Sequence, residues 1–337
     1  MHHALVRAAA AVALFAISTS SHAIFRAYLA SDGNDANPCT VQLPCRLLPA
    51  AIAAVDNAGE IWMLDSANFN SGPVAVNKSV TILAIPGAVG SVVALGGNAI
   101  NIDTAGVSIT LRNITIRPFP GNTSATGILV SQAGKLVLEQ CQINGFSGGY
   151  GLRVSQADTD IVIKGSKIGD NSIGGAFDGA KVAIDDTIIS GNGTGIYAQA
   201  TVNSTLTDVA LTRVVLAHNT YGIVLSTSAS LSAPFVRVVV ADSLLMGHGN
   251  TAVHVTAGLS TTNPQVDVIV KNSVLSQNFI ALRAENTGAR IVLTGNTITR
   301  NTSAYTILNG GIVQTAGNNA IVNNSGQTGS LTSFALQ

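Results

Sequence analysis

A block of alternating apolar residues recurs along the chain from residue 109 onward. Each block has two apolar residues separated by one other residue, and a third apolar residue five positions after the second. Short alternation of this kind is typical of a strand with one buried face. The blocks start 21 to 30 residues apart, at Ile109, Leu136, Ile161, Val182, Val209, Val238, Val268 and Ile291.

A second short apolar strand is predicted between successive blocks. It is introduced by a small residue at Gly127, Gly151, Gly195, Gly222, Ala252 and Ala281. A leucine-rich repeat would need a fixed Leu and Asn spacing, and a propeller blade would need about 40 to 45 residues. The irregular spacing instead predicts an all-β fold, a right-handed parallel β-helix of about ten coils stacked about 4.8 Å apart.

The turn after each block has a polar signature. Three residues after the third apolar residue stand Asn171, Asn192, Asn219, Asn278 and Asn301. Asparagine tolerates the left-handed backbone of a tight turn, and stacked asparagines can pair their amides along an axis. We therefore interpret these asparagines as structural.

The first 23 residues are predicted to be a cleaved secretory signal. His2, His3 and Arg7 precede the apolar run Ala8–Ile17, and Ser21-His22-Ala23 offers a small-residue cleavage site. That run is too short to span a bilayer, and no later stretch reaches about 20 apolar residues. We expect an exported protein, secreted or periplasmic, with a cap over 24–58, the β-helix over 59–325 and a tail over 326–337.

The composition narrows the range of partners. Only 10% of the residues are charged, with 17 basic against 17 acidic, and 47% are hydrophobic but only 4% aromatic. Nucleic acids and anionic membranes are bound largely through clustered Lys and Arg, so neither is expected as the main partner.

The three cysteines fit an oxidising compartment. Cys39 and Cys45 flank a short proline-bounded loop, Asn37-Pro-Cys-Thr-Val-Gln-Leu-Pro-Cys45, and we expect a local disulfide between them. Cys141 falls in an apolar repeat position, so we expect a buried free thiol.

The chain resembles the secreted right-handed β-helix repeat proteins of the pectate lyase-like superfamily. The resemblance is strongest in the segments Tyr28–Cys39, Pro44-Cys-Arg46, Leu47–Val55, Gly59–Asp65 and Lys78–Ile82. It implies that a short helix within Leu47–Val55 caps the open N-terminal end of the coil. That superfamily includes polysaccharide lyases, hydrolases, esterases and adhesins, so the fold alone does not assign a chemistry.

Catalytic candidates are weak. Asp158-Thr-Asp160, Asp185-Asp186, Gly247-His248-Gly249 and Arg290-Ile-Val292 are similar to polygalacturonase motifs, but Asp185 and His248 should lie two coils apart. Glu139 and Asp185 should point outward two coils apart, about 9 to 10 Å, at the upper limit for an inverting glycosidase pair. Because Lys164 should lie between Glu139 and Asp185, we interpret the three residues as an exposed ladder of alternating charges and not as a catalytic pair.

No metal or cofactor is predicted. Beyond residue 23 the histidines are His218, His248 and His254, and no third ligand accompanies the first two at a clear spacing. Asp32, Asn34 and Asp35 could hold calcium but are better explained as turn-forming residues.

Two outward surfaces remain as functional candidates. The second strands present Leu129, Arg153, Tyr197, Val224, His254 and Arg283, of which Arg153, Tyr197, His254 and Arg283 are candidate contacts to a glycan. The first strands present an apolar stripe that a loop, a terminal segment or a partner should cover, with self-association as one possibility: Thr110, Val137, Val162, Ala183, Ala210, Val239, Ile269 and Val292.

We therefore predict a secreted scaffold that binds polysaccharide or another envelope component, with no catalytic activity assigned. The alternative is a polysaccharide lyase or glycoside hydrolase acting on an acidic glycan.

Overall fold

The described residues build a stack of short parallel strands. The computed structural model describes residues 24–122, 125–201, 206–227, 235–258 and 266–335; the predicted signal segment 1–23 lies outside them. One helix is present in these ranges, α1 (Leu48–Ala54). The strands, in chain order, are β1 (Ile24–Leu29), β2 (Val55–Met63), β3 (Ala67–Asn68), β4 (Val74–Ala75), β5 (Val80–Ala84), β6 (Gly90–Ala94), β7 (Ile100–Asp103), β8 (Ser108–Arg112), β9 (Ile114–Pro118), β10 (Ile128–Gln132), β11 (Lys135–Glu139), β12 (Gln142–Asn144), β13 (Tyr150–Lys164), β14 (Lys167–Gly169), β15 (Ile173–Asp185), β16 (Ile188–Ser190), β17 (Thr194–Ala200), β18 (Leu206–Thr212), β19 (Val215–Ala217), β20 (Tyr221–Thr227), β21 (Phe235–Ala241), β22 (Leu244–Met246), β23 (Thr251–Thr256), β24 (Val266–Lys271), β25 (Val274–Ser276), β26 (Ile280–Glu285), β27 (Ala289–Thr294), β28 (Thr297–Thr299), β29 (Ser303–Leu308), β30 (Ile312–Thr315), β31 (Ala320–Val322) and β32 (Thr332–Ser333).

Each coil contributes a strand to three faces. We call the face built from the first strands of each repeat the stripe face; it contains β8, β11, the second halves of β13 and β15, then β18, β21, β24, β27 and β30. The short-strand face is a separate sheet of β3, β6, β9, β12, β14, β16, β19, β22, β25, β28 and β31. The row face carries β7, β10, the first halves of β13 and β15, then β17, β20, β23, β26 and β29.

The predicted repeat is confirmed residue by residue. The first residues of successive blocks are direct partners in adjacent parallel strands, beginning with Ile109, Leu136 and Ile161. The register continues to Ile291. All of these side chains are buried in the coil interior. Alternation therefore places every second residue of these strands inside the rod, as expected for a half-buried strand.

The helix α1 lies at the N-terminal end of the coil. Its residues Leu48, Ala51 and Ile52 are buried in the hydrophobic core, and it contacts β1, β2 and β4. Pro49 stands in its first turn, where a missing N–H costs nothing. The segments expected as cap and tail also carry strands, since β1 pairs with β2 and β32 pairs with β30.

The asparagines form a buried ladder inside one corner of the coil. The side-chain amide of Asn171 donates to Asn192 at 3.0 Å, and that of Asn192 donates to Asn219 at 2.9 Å. The same contact joins Asn278 to Asn301 at 2.9 Å. Stacked amides therefore satisfy polar groups in this corner, and Phe146 fills the same position one coil before Asn171, where its backbone N–H donates to the Asn171 side chain.

The prediction that these asparagines take the left-handed backbone is wrong. The positive φ angle belongs to the residue just before each ladder position, for example Asp170 at 57° and Arg300 at 57°. The positive φ turns the chain so that the next side chain points into the coil, and it also precedes Phe146 and His248, at Gly145 and Gly247.

The cysteines are paired as predicted. Cys39 and Cys45 form a disulfide, and Cys141 is a buried free cysteine. Burial raises the pKa of the Cys141 thiol to about 11.

Candidate functional site

The predicted row of outward residues is in register along the row face. Arg153 pairs with Ala176, Ala176 with Tyr197, Tyr197 with Val224, Val224 with His254, and His254 with Arg283. His254 and Arg283 therefore occupy adjacent coils. The buried Ala176, which the sequence pattern passed over, separates Arg153 from Tyr197.

Three side chains converge around His254. They are Tyr221, Glu285 and Arg283, and we call them, together with His254 and Asn250, the His254 cluster. The ring of Tyr221 stacks on that of His254 with centroids 6.2 Å apart and planes inclined by 24°. On the other side, Glu285 Oε2 lies 3.6 Å from His254 Nε2 and accepts a hydrogen bond from Arg283 Nη2 at 2.8 Å. The Nδ2 group of Asn250 donates to the Tyr221 hydroxyl at 3.0 Å.

The cluster is partly buried, which controls its protonation. The His254 side chain is 18% exposed. Burial and the neighbouring Arg283 guanidinium lower the pKa of His254 below its usual value, while Glu285 acts in the opposite direction. The imidazole is therefore neutral at pH 7, and its buried Nε2 has no hydrogen-bond partner among the described residues.

Arg283 keeps donors available for a ligand. Its Nε and Nη2 groups both donate to Glu285, while a guanidinium carries five N–H donors in all. Two coils before His254, the Tyr197 hydroxyl lies 2.8 Å from the Ser226 hydroxyl. These groups present planar rings and hydrogen-bond donors on one side of the rod.

Sequence reasoning missed Tyr221, Glu285 and Asn250. Glu285 stands two residues after Arg283 in β26, so strand alternation alone would have placed it on the same face. Tyr221 immediately precedes Gly222, the small residue with which the predicted strand begins. Asn250 could not be found from the pattern, because a turn brings it to Tyr221.

Comparisons with known proteins agree with this architecture. A family model described as "Right handed beta helix region" matches residues 98–264. The A-module of Azotobacter vinelandii mannuronan C-5 epimerase AlgE4 has a similar fold, with a TM-score of 0.59, 13% identity, and coverage of 83% of this chain and 91% of that one. The protein is a right-handed parallel β-helix.

A second solved structure gives the same result for this β-helix. The A-module of mannuronan C-5 epimerase AlgE6, also from Azotobacter vinelandii, has a TM-score of 0.51 and 14% identity, and the match covers 86% of this chain and 95% of that one. No curated protein matches the chain. At these identities the likeness concerns the fold.

The carboxylates Glu139 and Asp185 lie in a charge ladder of the β-helix. Both are in register with Lys164, one on each side. Glu139 accepts a hydrogen bond from Arg112 at 2.6 Å, and Asp185 pairs with Arg213 at 2.5 Å. This arrangement is that of exposed ion pairs along stacked coils.

The motifs similar to polygalacturonase do not come together. Asp185 and Asp186 both bind Arg213 at the end of the stripe face. His248 lies in the turn after β22 and is only 2% exposed. Its Nδ1 atom contacts the backbone oxygen of Asn219 at 3.3 Å, so it belongs to the asparagine corner.

The other candidate ion sites also have structural roles. Asp35 accepts backbone hydrogen bonds from Arg46 and Leu47, each at 2.8 Å, and Asn34 accepts one from Ala36 at 2.9 Å. Within the described ranges, no three His, Cys, Asp or Glu side chains gather as a metal-binding group.

Proposed function

We propose that this β-helix binds an acidic polysaccharide along its row face, with the His254 cluster at the centre of the site. The observation that carries the proposal is the convergence of Tyr221, His254 and Arg283 on successive coils, on one partly buried outward surface. Flat rings can pack against sugar rings, and an arginine recognises a carboxylate through paired N–H donors.

The spacing of the coils supports a linear ligand. Adjacent coils are about 4.8 Å apart, which is comparable with the length of one sugar unit in an extended chain. A polymer lying along the rod axis would meet one row residue per sugar, from Tyr197 through His254 to Arg283. The similar folds named mannuronan C-5 epimerase, whose substrate name denotes a uronic-acid polymer, are consistent with this ligand class.

We also propose that the protein is exported, secreted or periplasmic. The Cys39–Cys45 disulfide fits an oxidising compartment, and the signal-like segment at residues 1–23 would direct it there. Across the described ranges, no helix has both the length and the apolar character needed to cross a membrane.

The test is a binding titration of the purified mature chain with uronic-acid polymers and with a neutral glucan. We expect binding to a uronic-acid polymer that weakens with added salt, because salt screens the Arg283 contact. Replacing Tyr197, His254 and Arg283 together by alanine should weaken it at least tenfold. Lys167→Ala, an exposed cation on the short-strand face, is the matched control and should bind normally.

Two outcomes would contradict the proposal: equal binding by the triple variant, or equal affinity for neutral and acidic polymers. The same incubations are read for unsaturated products and new reducing ends. Turnover would favour the alternative function, a polysaccharide lyase or glycoside hydrolase.

A further inference from the structure

The apolar stripe of the stripe face is continuous and partly exposed among the described residues. Its central residues follow one another in register from Val162 through Ala183, Ala210 and Val239 to Ile269. Ala183, Ala210 and Ile269 are exposed, Ile269 at 40%. Apolar surface of this extent on a rod otherwise rich in polar turns indicates an interaction face.

A column of alternating charges runs beside the stripe. It is formed by the outward residue two positions before each stripe residue, and its members pair in register. They are Lys135, Asp160, Lys181, Asp208, Arg237, Asp267 and Arg290. Because the signs alternate at every coil, the column is complementary to a reversed copy of itself displaced by one coil.

The size of the stripe side chains changes along the rod. A shallow hollow of about 400 Å³ lies over Ala183 and Ala210, walled by Lys181 and Asp208. The next two coils present the larger side chains of Val239 and Ile269, which line a second hollow of about 440 Å³ together with Phe334. The stripe thus carries small side chains over two coils and larger ones over the next two.

We propose that the stripe face is a self-association surface on which two copies of this chain pack antiparallel, around a twofold axis parallel to the strands and midway between β18 and β21. Isologous interfaces of this kind require a patch complementary to itself. The charge column and the side-chain sizes of the stripe both meet that requirement about the same axis.

The charges are complementary in this arrangement. Asp208 faces Arg237 of the second copy, Lys181 faces Asp267, and Asp160 faces Arg290, each pair occurring twice by symmetry. An axis passing through a strand instead of between two strands would set Lys181 against Arg237. Like charges across an interface are unfavourable, so the alternation restricts where the axis can lie.

The side-chain sizes select one axis among those that the charges allow. About the proposed axis, Ala210 faces Val239 of the second copy and Ala183 faces Ile269, so each larger side chain meets a smaller one. Moving the axis one coil towards β15 would oppose Ala183 to Ala210 and leave a gap. A parallel pair would also match charges, but it would set Ile269 against Ile269.

The contact is small, so the dimer should be reversible. Eight coils of about 4.8 Å each and a width of about 13 Å give roughly 500 Å² per copy. The total of about 1,000 Å² falls at the low end for specific complexes, in the range of transient ones.

The first test is sedimentation of the mature chain over a range of concentrations. We expect a monomer–dimer equilibrium that Ile269→Lys abolishes. Ile188→Lys is the matched control, because Ile188 is also 40% exposed but lies on the short-strand face. A monomer at every concentration, or equal disruption by both variants, would overturn the proposal.

A charge-exchange test separates association from effects within one chain. One variant carries lysine at Asp160, Asp208 and Asp267, and the other carries aspartate at Lys181, Arg237 and Arg290. Each alone should be monomeric, with circular dichroism confirming the fold, while an equimolar mixture should dimerise. Since mixing cannot repair a ladder inside either chain, a mixture that stays monomeric contradicts the proposed face.

The orientation is tested with a spin label on Val292→Cys. The proposed antiparallel pair places the two labels about 25 Å apart, whereas a parallel pair places them about 10 Å apart. The buried Cys141 is replaced by serine so that one site carries the label. A distance near the shorter value would overturn the proposed arrangement.

Discussion

The backbone N–H of His248 donates to the side-chain oxygen of Asn278 at 3.0 Å, which is the contact that asparagines make elsewhere in the ladder. On its other side, however, His248 offers no amide oxygen to Asn219. The ladder is therefore divided into two segments by a buried imidazole.

This interruption predicts acid sensitivity. Burial lowers the pKa of His248 from 6.5 to about 4, so protonation favours the unfolded chain. The contribution of the neutral His248 side chain to the unfolding free energy is complete above pH 6.5. It is lost as the pH falls towards 4. Between pH 7 and pH 4.5 the wild type should lose roughly 2 to 3 kcal/mol more unfolding free energy than His248→Asn.

The control for that measurement is His218→Asn. His218 is exposed, with a φ of 55° that asparagine tolerates. Burial, not His218, is the main cause of the lowered pKa of His248, while the His218 charge also lowers it. His218→Asn should therefore keep most of the wild-type pH dependence in denaturant titrations. An identical pH dependence in His248→Asn and wild type would contradict the assignment.

The hydrogen bonds of the asparagine ladder should contribute to the unfolding free energy of the protein. Asn192→Ala removes the acceptor of both the Asn171 backbone N–H and the Asn171 amide. We expect a loss of about 2 to 4 kcal/mol in unfolding free energy, because two buried donors are left unpaired. Asn324→Ala, at the partly exposed end of the ladder, should cost clearly less, and equal costs would argue against burial as the cause.

The register of the stripe face can be checked with a carboxylate. Val240 is fully buried inside the coil, whereas its neighbour Val239 points outward. Val240→Asp should cost about 4 kcal/mol or more, since an unpaired charge would enter the core. Val239→Asp, measured at low protein concentration, should change the unfolding midpoint little.

Thiol chemistry distinguishes the three cysteines. The Cys141 Sγ atom lies 3.3 Å from the backbone oxygen of Leu111, and its pKa is raised to about 11. Iodoacetamide at pH 8 should leave it unmodified in the folded protein and alkylate it after unfolding. Peptide mapping should show Cys39 joined to Cys45, and a disulfide containing Cys141 would refute this assignment.

Substitution of Glu139 and Asp185 tests the alternative function, in which these carboxylates would be catalytic. Glu139→Gln and Asp185→Asn remove charges that are paired with Arg112 and Arg213. Exposed ion pairs contribute about 0 to 1 kcal/mol, so both variants should fold and bind glycan like the wild type. Loss of a measurable turnover in either variant would support an enzyme.

The sequence by itself determined the architecture. Apolar alternation in Ile109, Leu136 and their successors is enough to specify which side of each strand is inside, because strand side chains alternate with a period of two. The disulfide and the buried thiol followed from local spacing and from the apolar position of Cys141.

Only the tertiary structure decided which outward side chains meet. Stacking brings residues of consecutive coils together, and coils of unequal length hide that register in the sequence. Ala176 therefore separated Arg153 from Tyr197 unnoticed. Strand alternation places Glu285 on the face of Arg283, but the contact of Tyr221 with His254 is encoded by no sequence spacing. Polar contacts depend on rotamers and turns in three dimensions, whereas burial of a strand face depends only on the alternation along the chain.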